Sequence, residues 1–226
     1  MGISYNSSIV TSGLILCLDA ANPKSYPGSG TTWTDLSLNA RTATLTNGPT
    51  YSSTNGGRIV LDGIDDYVAE TSALSDAYWQ SNWTVSFWVN FDTVSRATDN
   101  MLIQHGTAAT RKGLHLCERS SKAYHGLYSD DLSGATTLVI SNWYNLVFTL
   151  NNTTFVKQIY VNGVLDATHT GGGAYTGTGS NTRICGAVIF GTNFDGFMAA
   201  GLFYNRVLTA TEIFQNYAAM RGRFGL

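Results

Sequence analysis

The chain has 226 residues, of which 12% are charged, and a formal net charge of −2. This leaves no basic footprint for nucleic acid or an anionic membrane, so neither is expected as a partner. Twenty-four glycines and twelve tyrosines favour short strands with tight turns over disorder, and the length suits one all-β domain.

Residues 1–12 are polar and aperiodic, a frayed tail or an arm that orders against a neighbour. They hold neither a basic nor an apolar signal-peptide region. No apolar run approaches the about 18 residues of a membrane span. Residues 14–18 read as a strand closed by Asp19. Two prolines and two glycines make residues 22–32 a loop, and Thr42–Thr46 is a short strand before an Asn47-Gly48-Pro49 turn. The stretch RIVLDGIDDYV, residues 58–68, is apolar on both faces of its first run. It reads as a strand inside a packed sheet, turned by Gly63 and the Asp65-Asp66 pair into Tyr67-Val68.

Residues 81–91 show the clearest alternation. Trp83, Val85, Phe87, Val89 and Phe91 share one face, and Thr84, Ser86, Trp88 and Asn90 share the other. Shorter strands follow at 101–104, 113–117 and 124–128. A meander runs over 143–150, 155–161 and 164–168, with Asn162-Gly163 supplying the positive φ values of a type I′ hairpin. Strands at 183–190 and 197–204 complete the sheets. A helix over 209–221 is capped by Thr209 with Glu212 three residues on, stapled by Leu208 and Ile213, and ended by Gly222. Many short strands and one terminal helix predict a two-sheet antiparallel β-sandwich, a jelly roll, with an arm at 1–12 and a domain at 13–226.

Cys17, Cys117 and Cys185 are odd in number, and two sit in apolar runs, so a disulfide framework is not expected. His105, His115 and His125 recur at intervals of ten. His115 and Cys117 share a strand face, but a fourth zinc ligand is not evident, and polar residues at similar heights on adjacent strands explain the spacing. Asp65 and Asp66 are expected to accept backbone N–H bonds in their turn. Glu70, Glu118 and Glu212 are the only glutamates, and none has the carboxylate neighbours that glycoside hydrolysis requires. No catalytic activity is expected. The contact candidates are aromatic residues in turn-rich segments, Tyr26, Trp33, Tyr51, Tyr78, Trp79, Tyr128 and Tyr175, which suit a sugar face or a protein interface, although many of them are expected to cover the ends of the sandwich instead.

GLILCLDA, IVLDGIDDYV, NWTVSFWV, QIYVNG, RICG and FDGFMAAGLFYNRVLTATEI occur in the order seen in laminin-G-like, concanavalin A-like jelly-roll domains, and the chain resembles that family over residues 14–217. Its opening and its RGRFGL end also resemble domains of tailed-bacteriophage virion proteins. That resemblance implies a non-enzymatic structural protein made in the host cytoplasm and carried on the virion. A capsid decoration protein, attached to the major capsid protein and trimeric, is the leading expectation. The alternative is a tail or baseplate module that recognises surface glycans. Calcium-binding members of the family carry an acidic pair before the Tyr-Asn-Arg segment, where this chain has Ala199-Ala200. Asp19, Asp62 and Asp195 remain as oxygen donors, but calcium takes about six to eight, so no metal or other cofactor is expected.

Overall fold

A computed structural model describes residues 8–70, 74–96, 98–179 and 182–226. In β1 (Leu14–Asp19), Leu16 and Leu18 enter the core. β2 (Thr32–Thr34) and β3 (Thr42–Thr46) pair as a hairpin that buries Trp33, Ala43 and Leu45. β4 (Thr50–Ser52) and β5 (Arg58–Asp62) form the next pair. The 58–68 stretch is not continuous: β5 belongs to one sheet, and β6 (Tyr67–Ala69) to the other. Gly63 makes this corner possible. Its φ is 70°, and a Cβ there would lie 2.7 Å from that of Asp195, so both conformation and space demand glycine.

After the short helix α1 (Asp76–Trp79) comes β7 (Trp83–Phe91), buried on both faces. β8 (Asn100–Gly106), β9 (Gly113–Arg119), β10 (Lys122–Gly126) and β11 (Asp131–Ser133) form a meander. A second meander runs through β12 (Trp143–Asn151), β13 (Val156–Val161) and β14 (Val164–Thr170). Its last turn has Asn162 at φ 51° and Gly163 at φ 79°, as the Asn-Gly pair predicts. The strand expected at 183–190 shrinks to β15 (Arg183–Ile184). Cys185 turns left-handed at φ 58°, and a loop leads to β16 (Thr192–Asn193). β17 (Asp195–Tyr204) then crosses the centre of its sheet.

Two sheets result. The eight-stranded one runs β14-β13-β12-β7-β17-β5-β4, with β1 also on β17. The nine-stranded one runs β11-β10-β9-β8-β15-β6-β3-β2, with β16 on β8. Pairing is antiparallel except at β16, which is parallel to β8. The inner faces enclose one apolar core that includes Trp83, Phe87, Phe91, Leu114, Leu116, Phe148 and Phe203. This is a β-sandwich of jelly-roll type.

A third layer covers the outer face of the eight-stranded sheet. It consists of α2 (Ala210–Met220) and a 3-10 turn over Arg221–Phe224. Thr209 and Glu212 form the expected capping box. The Glu212 carboxyl is held down to about 2, first by the Arg206 guanidinium and then by the Thr209 amide. Gly222 does not end the helix. The chain tightens into the 3-10 turn, and Gly225 takes the left-handed conformation at φ 74°. That extra turn places Phe224 over Trp88, with ring centroids 4.2 Å apart, while Tyr217 stacks near Trp88 at 5.8 Å. The polar-looking face of β7 is therefore interior.

The last residues of the expected arm also pack on this layer. The Val10 amide donates to Asn216 Oδ1 at 2.8 Å, and Tyr204 Oη donates to the Val10 carbonyl at 2.9 Å. Residues 1–7 lie outside the described residues. Cys17, Cys117 and Cys185 are free and buried. No helix among the described residues is long and apolar enough to cross a membrane.

Candidate functional site

Strand parity decides which side chains leave the core. Leu114 and Leu116 of β9 point inward, so His115 and Arg119 lie on the outer face of the nine-stranded sheet. On β10, Ala123 points inward and Tyr124 outward. Gly126 pairs with His115 on one side and Asp131 on the other. A side chain at Gly126 would overlap the His115 imidazole, so glycine there lets the ring lie across β10 towards Asp131.

These residues floor a groove of about 500 Å³ whose lining includes His115, Arg119, Tyr128, Asp131, Ile189 and Phe190. One wall is the turn between β10 and β11. The Leu127 amide donates to the Asp130 carbonyl at 3.1 Å, and Tyr128 and Ser129 both sit left-handed, at φ 59° and 62°. The opposite wall is the loop after Cys185. Gln104 clamps it: its Oε1 accepts the Val188 and Ile189 amides at 2.5 Å each, and its Nε2 donates to the Phe190 carbonyl at 2.8 Å. The Tyr128 and Phe190 rings then come together, with centroids 6.2 Å apart and planes tilted by 60°.

The floor is held by polar bonds. Arg119 Nε donates to Asp99 Oδ1 at 2.6 Å, and Nη2 donates to Asp99 Oδ2. That bond is the main reason the guanidinium pKa is raised. The guanidinium also lies 3.9 Å from the centre of the Tyr124 ring. Tyr124 Oη donates to Asp131 Oδ2 at 3.2 Å, and the Leu127 amide donates to Asp131 Oδ1 at 3.0 Å. His115 Nδ1 lies 3.0 Å from the Gly113 carbonyl, its acceptor, while Nε2 has no hydrogen-bond partner and lies 3.8 Å from Asp131 Oδ1. Burial lowers the His115 pKa, so the ring is held neutral.

Of the seven aromatic candidates, only Tyr128 lines this groove. The expectation that the others offer an open contact face is corrected for five of them, because Tyr26, Trp33, Tyr78, Trp79 and Tyr175 are buried. Tyr26 lies edge-on to Trp33 and donates to the Gly30 carbonyl at 2.7 Å. Tyr78 reaches the Tyr204 carbonyl at 3.3 Å, Trp79 donates to Thr182 Oγ1 at 3.1 Å, and Tyr175 Oη meets His105 Nδ1 at 2.8 Å. Tyr51 is half-buried against Tyr26, at 5.4 Å. Aromatic area next to a turn is what closes the end of a sandwich, and the polar atoms of Tyr26, Tyr78, Trp79 and Tyr175 find partners there, whereas the Trp33 indole N–H does not. Arg119, Tyr124, Asp131 and Phe190 escaped the sequence reading. The outward parity of 115, 119 and 124 was legible, but nothing local places Phe190 opposite Tyr128.

The evenly spaced histidines do not converge. His105 is inward and bonded to Asp76 Oδ1 at 2.8 Å, and His115 is on the outer face. His125 is buried between Trp83 and Phe148, and neither of its ring nitrogens completes a hydrogen bond. Burial lowers all three pKa values. Between the depressed folded value and the unfolded value near 6.5, the unfolded chain binds the extra protons, so stability rises with pH and is lost on acidification. Each histidine contributes a slope of about 1.4 kcal/mol per pH unit across that window. The melting temperature is expected to stay level from pH 8 to 7 and to fall below pH 6.5. His125→Leu should make the fall shallower without loss of stability at pH 7. An unchanged acid slope in that variant would refute the assignment.

The calcium candidates do not converge either. Asp62 pairs with Asp195 across β5 and β17, whereas Asp19 pairs with Ala200 farther along and is bonded to Arg223 at 2.6 Å. Asp195 accepts the Thr93 hydroxyl at 2.8 Å. Ala199 and Ala200 are fully buried in the cluster with Trp88, Tyr217 and Phe224, so no carboxylate stands where calcium-binding members have their acidic pair. The Asp62, Asp65 and Asp66 carboxylates gather within 4.8 Å. As the turn chemistry predicts, Asp66 Oδ2 accepts the Asp62 amide at 3.2 Å. Three carboxylates fall well short of a calcium shell.

A family model described as the concanavalin A-like lectin/glucanases superfamily (Laminin_G_3) matches residues 62–214. The chain belongs to that superfamily. Solved structures share its fold at low identity. Domain 4 of AbnA, a GH43 extracellular arabinanase from Geobacillus stearothermophilus in complex with arabinotriose, matches with a TM-score of 0.69 and 18% identity, covering 92% of this chain and 100% of that one. Trypanosoma rangeli sialidase matches at 0.65 and 16%, covering 96% of this chain and 34% of that one. The binding domain of botulinum neurotoxin DC in complex with rat synaptotagmin II matches at 0.67 and 15%, covering 92% and 52%. This superfamily member thus spans about a third of the sialidase chain. A search of curated proteins finds no match.

Proposed function

We propose that this domain binds carbohydrate without cleaving it, through the groove on the outer face of the nine-stranded sheet. The observation that carries the reading is Tyr128. Two consecutive non-glycine residues in left-handed conformation cost free energy, and the Asn-Gly pair favoured in such turns would relieve it. Instead, the turn presents a half-buried tyrosine beside Phe190 and above a floor of Arg119 and Asp131. An aromatic face beside paired donors and acceptors is what a sugar ring requires. The groove lining includes a single carboxylate, Asp131, whereas hydrolysis takes two about 5–10 Å apart. A domain of the same fold has been solved with arabinotriose.

Tyr128→Asn tests this directly. Asn tolerates the left-handed conformation, so unfolding free energy should hold or rise by up to about 1 kcal/mol. Affinity for the best ligand on a glycan array should fall at least about tenfold, the loss of one stacking contact. Binding unchanged by the substitution would rule out this groove.

A second reading, an assembly role on a phage virion, is favoured by the exposed apolar Val164 and Leu165 of β14 and Phe214 of α2, a protein-contact patch in the making. Decoration of a capsid, as a trimer or otherwise, predicts many copies of the chain per purified particle, and a tail or baseplate position predicts few.

A further inference from the structure

We propose that the groove selects uncharged, hydroxyl-rich sugars and that Asp131 is the residue that turns anionic ones away. The inference rests on the carbohydrate-binding reading and specifies its ligand. The argument is one of charge and unused hydrogen-bonding capacity. Besides Tyr128, three titratable side chains line the groove: His115, Arg119 and Asp131. Arg119 is already neutralised, since two of its N–H groups bind the two oxygens of Asp99, whose side chain is only 11% exposed. His115 gives its Nδ1 proton to the Gly113 carbonyl and turns an unpaired nitrogen towards Asp131. Among the side chains lining the groove none donates a hydrogen bond to Asp131, so its carboxylate faces the ligand without a matching cation from the lining.

Asp131 accepts one bond on each oxygen, from Tyr124 and from Leu127. A carboxylate has about four lone-pair sites, and a guanidinium has N–H groups beyond the two that Asp99 uses. A neutral sugar can fill both vacancies, donating one hydroxyl proton to Asp131 and accepting from the free edge of Arg119. A sialic or uronic acid would set a second carboxylate beside Asp131, where the Arg119 guanidinium has already been matched by Asp99. Like-charge juxtaposition of this kind is how binding sites exclude ligands that otherwise fit.

Titration calorimetry at pH 7 would compare neutral arabino-, xylo- and galacto-oligosaccharides with sialyllactose and oligogalacturonates, using the intact chain and its Asp131→Asn variant. The expected result is at least about a tenfold preference for the best neutral ligand in the wild type, largely lost in Asp131→Asn because anionic ligands gain. Tyr128→Asn should weaken whatever binding is seen by at least about tenfold. Equal or tighter binding of an anionic sugar, sensitive to Tyr128, would overturn this inference and leave the carbohydrate-binding reading standing. A preference that persists in Asp131→Asn would overturn the role of Asp131. Absence of binding to every sugar would overturn both.

Discussion

Asp130→Ala is expected to destabilise the domain by about 3–5 kcal/mol, the usual result of stranding a buried charge. The charge is Lys157, a fully buried lysine on β13. Its ammonium donates to the Asp130 carbonyl and, at 2.6 Å, to Asp130 Oδ1. Gly172 donates its amide to Asp130 Oδ2 at 3.0 Å, and His169 Nε2 stands 3.4 Å from Oδ1. Lysine belongs to one sheet and aspartate to the turn between two strands of the other, so the pair is a strut across one end of the sandwich. Burial raises the Asp130 pKa, but the Lys157 bond outweighs it and the net direction is down. A depressed carboxylate stabilises the fold above its unfolded pKa, and that contribution is lost as pH falls through the folded value. Urea unfolding at pH 7 measures the effect. Asp130→Leu combined with Lys157→Met should cost far less than Asp130→Ala alone, because no charge is left unpaired. If the double variant is as unstable as the single, packing and not charge is what the strut provides. The same turn carries Tyr128, so Asp130→Ala should also weaken sugar binding.

Trp88→Ala should cost a similar amount, about 3–5 kcal/mol, as for other buried aromatic truncations. Trp88 points out of the eight-stranded sheet, yet it is only 1% exposed because Phe224, Tyr217, Ala199 and Ala200 enclose it. Trp143 completes the stack, 4.6 Å from Phe224. Removing the indole empties the seam between the sheet and the C-terminal layer. Proteolysis within residues 221–226 should therefore accelerate before the sandwich unfolds, with the far-ultraviolet signal of the sheets retained. Loss of the sheets and of protection at the same denaturant concentration would show that the helical layer and the sandwich form one cooperative unit.

Much of the architecture was legible because alternation is a local property. Parity along residues 83–91, the Asn162-Gly163 turn, and the Thr209–Glu212 box each depend on neighbours within a few positions. The same locality limited the reading elsewhere. Whether the residues after Gly63 rejoin the same sheet depends on what the far side of the corner meets, and a single glycine beside Asp195 diverts them to the other one. Residues 183–190 have the composition of a strand, yet they leave the sheet because Gln104 supplies the hydrogen bonds that a neighbouring strand would have made.

Exposure of aromatics could not be read locally at all. Trp33 and Tyr128 both lie beside turns, but Trp33 is covered by the closing end of the sandwich and Tyr128 is held out by a left-handed turn. The sequence by itself determined the class of fold, the strand faces and the helix cap, since side-chain period and turn chemistry act over a few residues. Only the tertiary structure decided the groove. Its floor comes from adjacent strands, one wall from a hairpin tip and the other from a loop some sixty residues away in the chain, and burial or charge at such a place is set by neighbours that no local pattern names.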